Sequence, residues 1–156
     1  MAKEKGQKVI ASNRKARHDY EILDVYEAGV ALVGTEVKSL RLGRASLVDS
    51  FATVDDGEVW LHNVHIAQYA LGSWTNHAVR RKRKLLLHRA EIRAWDLRVR
   101  ESGLSMVPLS MYFNDGRVKV ELALVKGKKT WDRRQDERTK EARREADQAM
   151  YRNRRR

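Results

Sequence analysis

Cysteine is absent from this chain, which removes disulfides, thiolate-held zinc and a cysteine nucleophile from consideration. Proline occurs once, at Pro108, in a strand-like run where it predicts an edge position or a strand start. No apolar run reaches the roughly 18 residues that a bilayer span demands. The first ten residues, Met1 to Ile10, carry neither an apolar core nor a cleavage signal. A soluble, cytoplasmic protein is therefore expected. Catalytic signatures are missing as well. No phosphate-cradling glycine loop with its lysine occurs, no metalloprotease helix motif, and no serine–histidine–carboxylate arrangement readable from spacing. Of the five histidines, His62 and His65 stand three apart on an expected strand, so they point to opposite faces and do not chelate one metal. No catalytic residue, metal or cofactor is expected.

What the chain has in quantity is positive charge. Its 156 residues hold 33 Lys and Arg against 21 Asp and Glu, a net charge of +12. The excess sits at the ends. Residues 1–17 carry six basic side chains against one acidic, and residues 126–156 carry thirteen against six. Between them the charges balance, fourteen against fourteen. A neutral body with two cationic ends is the profile of a polyanion binder. Neither end has the bulky apolar face of an interfacial helix, which favours nucleic acid over a membrane surface. The length suits a single domain with a real core.

Along the chain, residues 1–17 read as a flexible basic arm whose Asn13-Arg14-Lys15-Ala16-Arg17-His18 offers an amide and several cations to a phosphate backbone. Residues 18–126 read as the folded body. Aromatic and β-branched residues from Tyr20 to Val33, on either side of Glu27-Ala28-Gly29, predict two antiparallel strands. Thr35 to Arg41 predicts a short helix, capped by Thr35 and ended by Gly43. Asp55-Asp56-Gly57 and Asn114-Asp115-Gly116 predict the turns of two hairpins, and the turn chemistry accounts for the paired carboxylates Asp55 and Asp56. Residues 69–79 predict an irregular surface loop. Arg80-Arg81-Lys82-Arg83-Lys84 then leads into Leu85-Leu86-Leu87, Ile92, Trp95, Leu97 and Val99, read as one helix ending near Gly103. Five cations at a helix N-terminus oppose its macrodipole and point to an anionic partner that offsets the cost.

Strict alternation from Val118 to Leu124 gives one buried and one wet face. About six strands, mostly in hairpins, with a short and a longer helix, predict a mainly β fold. The expected architecture is a closed antiparallel barrel of the oligonucleotide-binding (OB) type, with two or three helices and disordered basic extensions. Residues 127–156 read as a basic tail, opening on Gly127-Lys128-Lys129-Thr130-Trp131-Asp132-Arg133-Arg134. Those cations and one large ring suit phosphates and a stacked base together. Beyond them Ala142, Ala146, Ala149 and Met150 form only a thin apolar stripe, so the tail is expected to become helical on docking.

Several ordered blocks resemble a known family. Asn13-Arg14-Lys15-Ala16-Arg17-His18-Asp19-Tyr20-Glu21-Ile22, Glu27-Ala28-Gly29, Gly34-Thr35-Glu36-Val37-Lys38-Ser39-Leu40-Arg41, Asp49-Ser50, Arg83-Lys84-Leu85-Leu86-Leu87 and Gly127-Lys128-Lys129 stand in the order seen in the SsrA-binding proteins. That family, also called small protein B, partners transfer-messenger RNA in bacteria, and the resemblance covers essentially the whole chain. It implies an OB-type barrel that binds the tRNA-like domain and delivers the RNA to ribosomes stalled on truncated messages; a monomer is expected. The tail then occupies the decoding centre and the empty mRNA channel, and the nascent chain is tagged for proteolysis.

Residue by residue, the resemblance implies an RNA face of Asn13, Glu27 and Leu86, with Arg83 and Lys84 alongside; the cations Arg14, Lys15, Arg17 and Lys38 are expected to bind the RNA as well. It implies a ribosome-facing set of Gly127, Lys128, Lys129, Trp131, Asp132, Arg133, Arg134, Arg138, Lys140, Arg143 and Arg144. The tail departs from the usual family pattern. Arg133 stands where lysine is common, and Trp131 where tyrosine or histidine is; charge and aromaticity survive both changes. Two other classes share parts of this profile. A general single-strand or ribosomal-RNA-binding barrel has the same composition, and an RNA-modifying enzyme would need the catalytic cluster that is missing.

Overall fold

The computed structural model describes residues 7–70, 76–127 and 130–154, the side chains of residues 130–136 and 152–154 excepted. Two hairpins frame it. Strands β4 (Phe51–Asp55) and β5 (Glu58–His62) join through Asp56 and Gly57 at φ of 50° and 74°. Strands β8 (Ser105–Asn114) and β9 (Arg117–Gly127) join through Asp115 and Gly116 at 50° and 81°. Positive φ at both central residues is the two-residue turn whose twist matches the flanking strands. Strands β2 (Tyr20–Val30) and β7 (Arg83–Leu86) link the hairpins. The order β8–β4–β5–β7–β2–β9 returns to β8, so six antiparallel strands close a ring. The expected OB-type barrel is present. A small pair, β3 (Ala45–Ser46) with β6 (His65–Ile66), stands outside it.

Val59, Leu61, Leu85, Ala28, Met106, Met111, Val120, Leu122 and Leu124 fill the interior. Met106 and Met111 are five apart, which strict alternation would send to opposite faces. A bulge between Pro108 and Ser110 restores the parity and turns Leu109 outward. Pro108 thus lies inside β8 rather than at an edge or a start, because a bulge tolerates the missing N–H.

Three other expectations change. The segment at Glu27-Ala28-Gly29 is no turn: β2 runs unbroken for 11 residues. Gly29 pairs with Leu86, whose Cβ would lie 3.3 Å from an added Cβ, so glycine serves close strand approach there. Leu85 and Leu86 belong to β7, and helix α3 (Arg89–Ser102) starts only afterwards, ending at Gly103 in the left-handed region. Its Trp95 stacks on Tyr26 at 4.3 Å. Helix α2 (Gly34–Arg41) is capped from Val33, whose N–H donates to Glu36 at 3.0 Å, while Thr35 hydrogen-bonds His77 at 2.9 Å. His77 is buried and holds the Ile66 carbonyl at 2.9 Å, which anchors one end of the expected loop.

The basic arm is structured from Gln7 onward. Strand β1 (Gln7–Ser12) pairs with β8, and helix α1 (Arg14–Asp19) covers the outer face of β8 and β9 through Ala16, packed with Val107, Leu109, Ala123 and Val125. At the other end, Thr130–Arg154 forms helix α4. Among the described residues there are therefore four helices where two or three were expected.

Candidate nucleic-acid interface

The basic run 80–84 does not oppose a helix dipole, because it enters a strand. Its charges find partners inside the fold. Arg80 donates to Asn63 at 3.0 Å, Lys82 stands 4.4 Å over the Trp60 ring, and Lys84 pairs with Glu58 at 2.8 Å. Arg81 and Arg83 both hold Glu36, which is fully buried. Arg83 is equally buried and also donates to the Val64 carbonyl at 2.8 Å and the Val79 carbonyl at 3.1 Å. Burial pushes the Glu36 carboxyl up, but hydrogen bonds from Arg81, the Val33 N–H and Arg83 outweigh it and hold it below 4.5. Burial also pulls the Arg83 guanidinium down, and Glu36 offsets part of that. The partner inferred from dipole opposition is thus replaced by a carboxylate of the chain itself. Arg83 braces the strand that carries Lys84 and Leu86 from beneath, and its guanidinium does not face solvent.

Glu27, Lys84 and Leu86 do come together. They line an open depression of about 610 Å³ with Gly29, Lys119 and Arg89. Leu86 is 54% exposed, so plain core packing does not explain it. Glu27 accepts a hydrogen bond from the Tyr112 hydroxyl. Burial, and after it the hydrogen bond to Glu27 and that carboxylate's charge, raises the Tyr112 pKa, which keeps the phenol a donor. Opposite Glu27 on β9 is Glu121, which accepts from Ser110 at 3.2 Å and pairs with Arg17 of α1 at 3.5 Å. One surface therefore runs from α1 across Glu121 and Glu27 to Leu86 and Lys84. Sequence reasoning missed Lys119, Arg89 and Tyr112. The alternation of β9 put Lys119 on the wet face, but nothing local showed that it would meet β7.

Asn13 is only 5% exposed, and its amide is spent internally. Its oxygen accepts from the Ala16 N–H at 3.2 Å, capping α1, and its nitrogen donates to the Leu47 carbonyl at 3.3 Å and the Pro108 carbonyl at 3.0 Å. It fixes the helix that presents Arg14, Lys15 and Arg17, all exposed. Asn13→Ala is expected to lower stability by about 2 kcal/mol, read by urea titration, because it removes a cap and strands a buried carbonyl. Lys38 stands apart from the depression on α2, 5.5 Å over Tyr69.

In the tail, Gly127 ends β9 exposed, and Arg138, Lys140, Arg143 and Arg144 are exposed on α4. Lys128 and Lys129 lie outside the described residues, as do the side chains of Trp131, Asp132, Arg133 and Arg134, whose backbone belongs to α4. The stripe Ala142, Ala146, Ala149 and Met150 is exposed throughout. A 3.2 Å contact from His18 to Glu137 ties the helix to the body.

Comparison with known proteins agrees with this arrangement. The model of the SmpB protein family matches residues 10–152. An SsrA-binding protein of Kineococcus radiotolerans is 67% identical over 150 residues, 96% of each chain. One of Saccharopolyspora erythraea is 64% identical over 152 residues, 97% of this chain and 96% of the relative. Among solved structures, a chain described under "tmRNA-SmpB: a journey to the center of the bacterial ribosome" superposes with a TM-score of 0.64 at 56% identity. That match covers 76% of this chain and 84% of the other. With a family match over nearly its full length and relatives above 60% identity, the chain belongs to the SmpB family of SsrA-binding proteins.

Proposed function

We propose that this protein binds transfer-messenger RNA through the outer face of its barrel and brings it to stalled ribosomes for trans-translation, acting as an RNA-binding adaptor without chemistry of its own. Family membership supplies the partner. The observation in the fold that carries the RNA face is the depression where Glu27, Lys84, Leu86, Lys119 and Arg89 converge. Cations there meet phosphates, and the exposed Leu86 suits an unstacked base. Glu27, held by Tyr112, accepts from a base amine or a 2′-hydroxyl. Asn13 and Arg83 act from beneath, by holding α1 and β7 in place, while Arg14, Lys15 and Arg17 supply charge along the rim and Lys38 a separate cation.

The tail forms the second surface. Residues from Gly127 onward, including Lys128, Lys129, Trp131, Asp132, Arg133 and Arg134, enter the decoding centre, and Arg138, Lys140, Arg143 and Arg144 track the mRNA channel on α4. The protein acts as a monomer in the cytoplasm; no helix among the described residues is long and apolar enough to cross a membrane. The test is a binding comparison at matched salt. A tRNA-like RNA is expected to bind far more tightly than an unstructured strand of equal length. Equal affinities would instead indicate a general single-strand binder, and turnover of a nucleoside substrate would indicate an RNA-modifying enzyme.

A further inference from the structure

The outer face of β4, β5 and β7 carries a pattern that the core does not use and that shares only Lys84 with the depression. Inward positions Ala52, Val59, Leu61, Arg83 and Leu85 are buried. Their outward neighbours form cross-strand rows: Phe51 beside His62, then Thr53 beside Trp60 beside Lys84. Phe51 leaves 45% of its surface exposed. Its ring stacks on His62 at 5.0 Å and 14°, and Thr53 fixes the His62 ring through a 2.8 Å hydrogen bond. One row on, Lys82 stands over Trp60. An aromatic side chain on a sheet normally gains by full burial. Here the Phe51 ring is held in orientation yet left half open, and the next row carries the Lys82 ammonium over the half-buried Trp60.

We infer that this row is a base-stacking platform for unpaired nucleotides of RNA, with a base on the open face of Phe51 and the strand's phosphates along Lys82 and Lys84. Aromatic rings next to cations along a sheet suit single strands, because every base has a π-face and every linkage a charge. Lys84 also lines the depression around Leu86, so the platform continues the interface proposed above and extends it across two further strands. It rests on that reading only for the identity of the natural RNA; stacking on Phe51 is measured without it.

The probe is a 12-nucleotide oligoadenylate titrated against the full chain at several salt concentrations. Phe51→Leu is expected to weaken binding about tenfold with the salt slope unchanged, since a stacked ring and no cation is lost. Phe51→Trp retains wild-type affinity. Lys82→Gln reduces the slope by about one. If Phe51→Leu binds as wild type does, or if the Leu and Trp variants weaken alike, the platform is only packing and the inference is overturned. RNA affinity unchanged in Phe51→Leu, with loss of a ribosomal-protein contact in pull-down, would give the face to a protein and overturn it equally. A failure of this kind leaves the preference for tRNA-like RNA standing, whereas loss of that preference in the wild type removes the transfer-messenger RNA reading and not the stacking.

Discussion

Arg83→Met is expected to destabilise the fold by about 3–5 kcal/mol, measured by urea titration, although the residue touches no solvent-facing surface. The reason lies at Glu36, which is fully buried and held by Arg81, Arg83 and the Val33 N–H. Removing Arg83 leaves a buried carboxylate with a single guanidinium and strands the Val64 and Val79 carbonyls that Arg83 now satisfies. The double replacement Glu36→Leu with Arg83→Met is expected to recover part of the loss, because it removes the uncompensated charge. The same network sets a pH dependence. The Glu36 carboxyl titrates near 4.5 when unfolded and lower when folded. Its contribution is therefore complete above about pH 4.5 and disappears as the pH falls through the folded value. Urea midpoints measured between pH 7 and pH 3 should fall more steeply for the wild type than for the double variant. Parallel curves would show that folding does not hold the Glu36 carboxyl below its unfolded value.

Deleting residues 132–156 should abolish tagging on stalled ribosomes while leaving affinity for tRNA-like RNA nearly unchanged. The described part of α4, from Glu137 to Tyr151, is exposed at every position, and the core closes without it. The deletion takes ten cations from the chain, so a modest drop in the salt dependence of non-specific binding is expected as well. Circular dichroism should show loss of helix with an unshifted melting transition of the barrel. If the truncated chain instead lost most of its RNA affinity, the division into a barrel that holds one RNA and a tail that engages another would be wrong.

The parts of the fold that local chemistry dictates could be read directly. Asp56-Gly57 and Asp115-Gly116 gave both hairpins, Gly103 gave the end of α3, and the alternation from Val118 to Leu124 gave a strand with one dry face. Errors arose where a residue answers to something distant. Leu85-Leu86-Leu87 follows five cations, and such a short apolar run does not separate strand from helix. Gly29 looks like a turn until Leu86 is seen packed against it. Arg83 reads as a surface cation because its carboxylate lies 47 positions earlier. For the proposed interface, the blocks singled out Glu27, Lys84 and Leu86, which the fold brings to one depression. Lys119 and Tyr112 were not, since only ring closure brings β8 and β9 to that face.

The Asn13 amide, which caps α1 and holds the Pro108 carbonyl, also constrains the order in which the chain folds. Its bond to Pro108 joins residues 95 positions apart, and β1 has no strand partner but β8 among the described residues. Residues 7–19 must therefore wait for residues 105–127 before they can dock. Until the β8–β9 hairpin is complete, β1 and α1 have nothing to dock on, and β2 lacks the strand that runs beside it for most of its length. Contacts this remote in sequence carry the full cost of closing a long loop before any is repaid. Folding should thus be slow, with β1 and α1 locking last and reporting that the ring has closed.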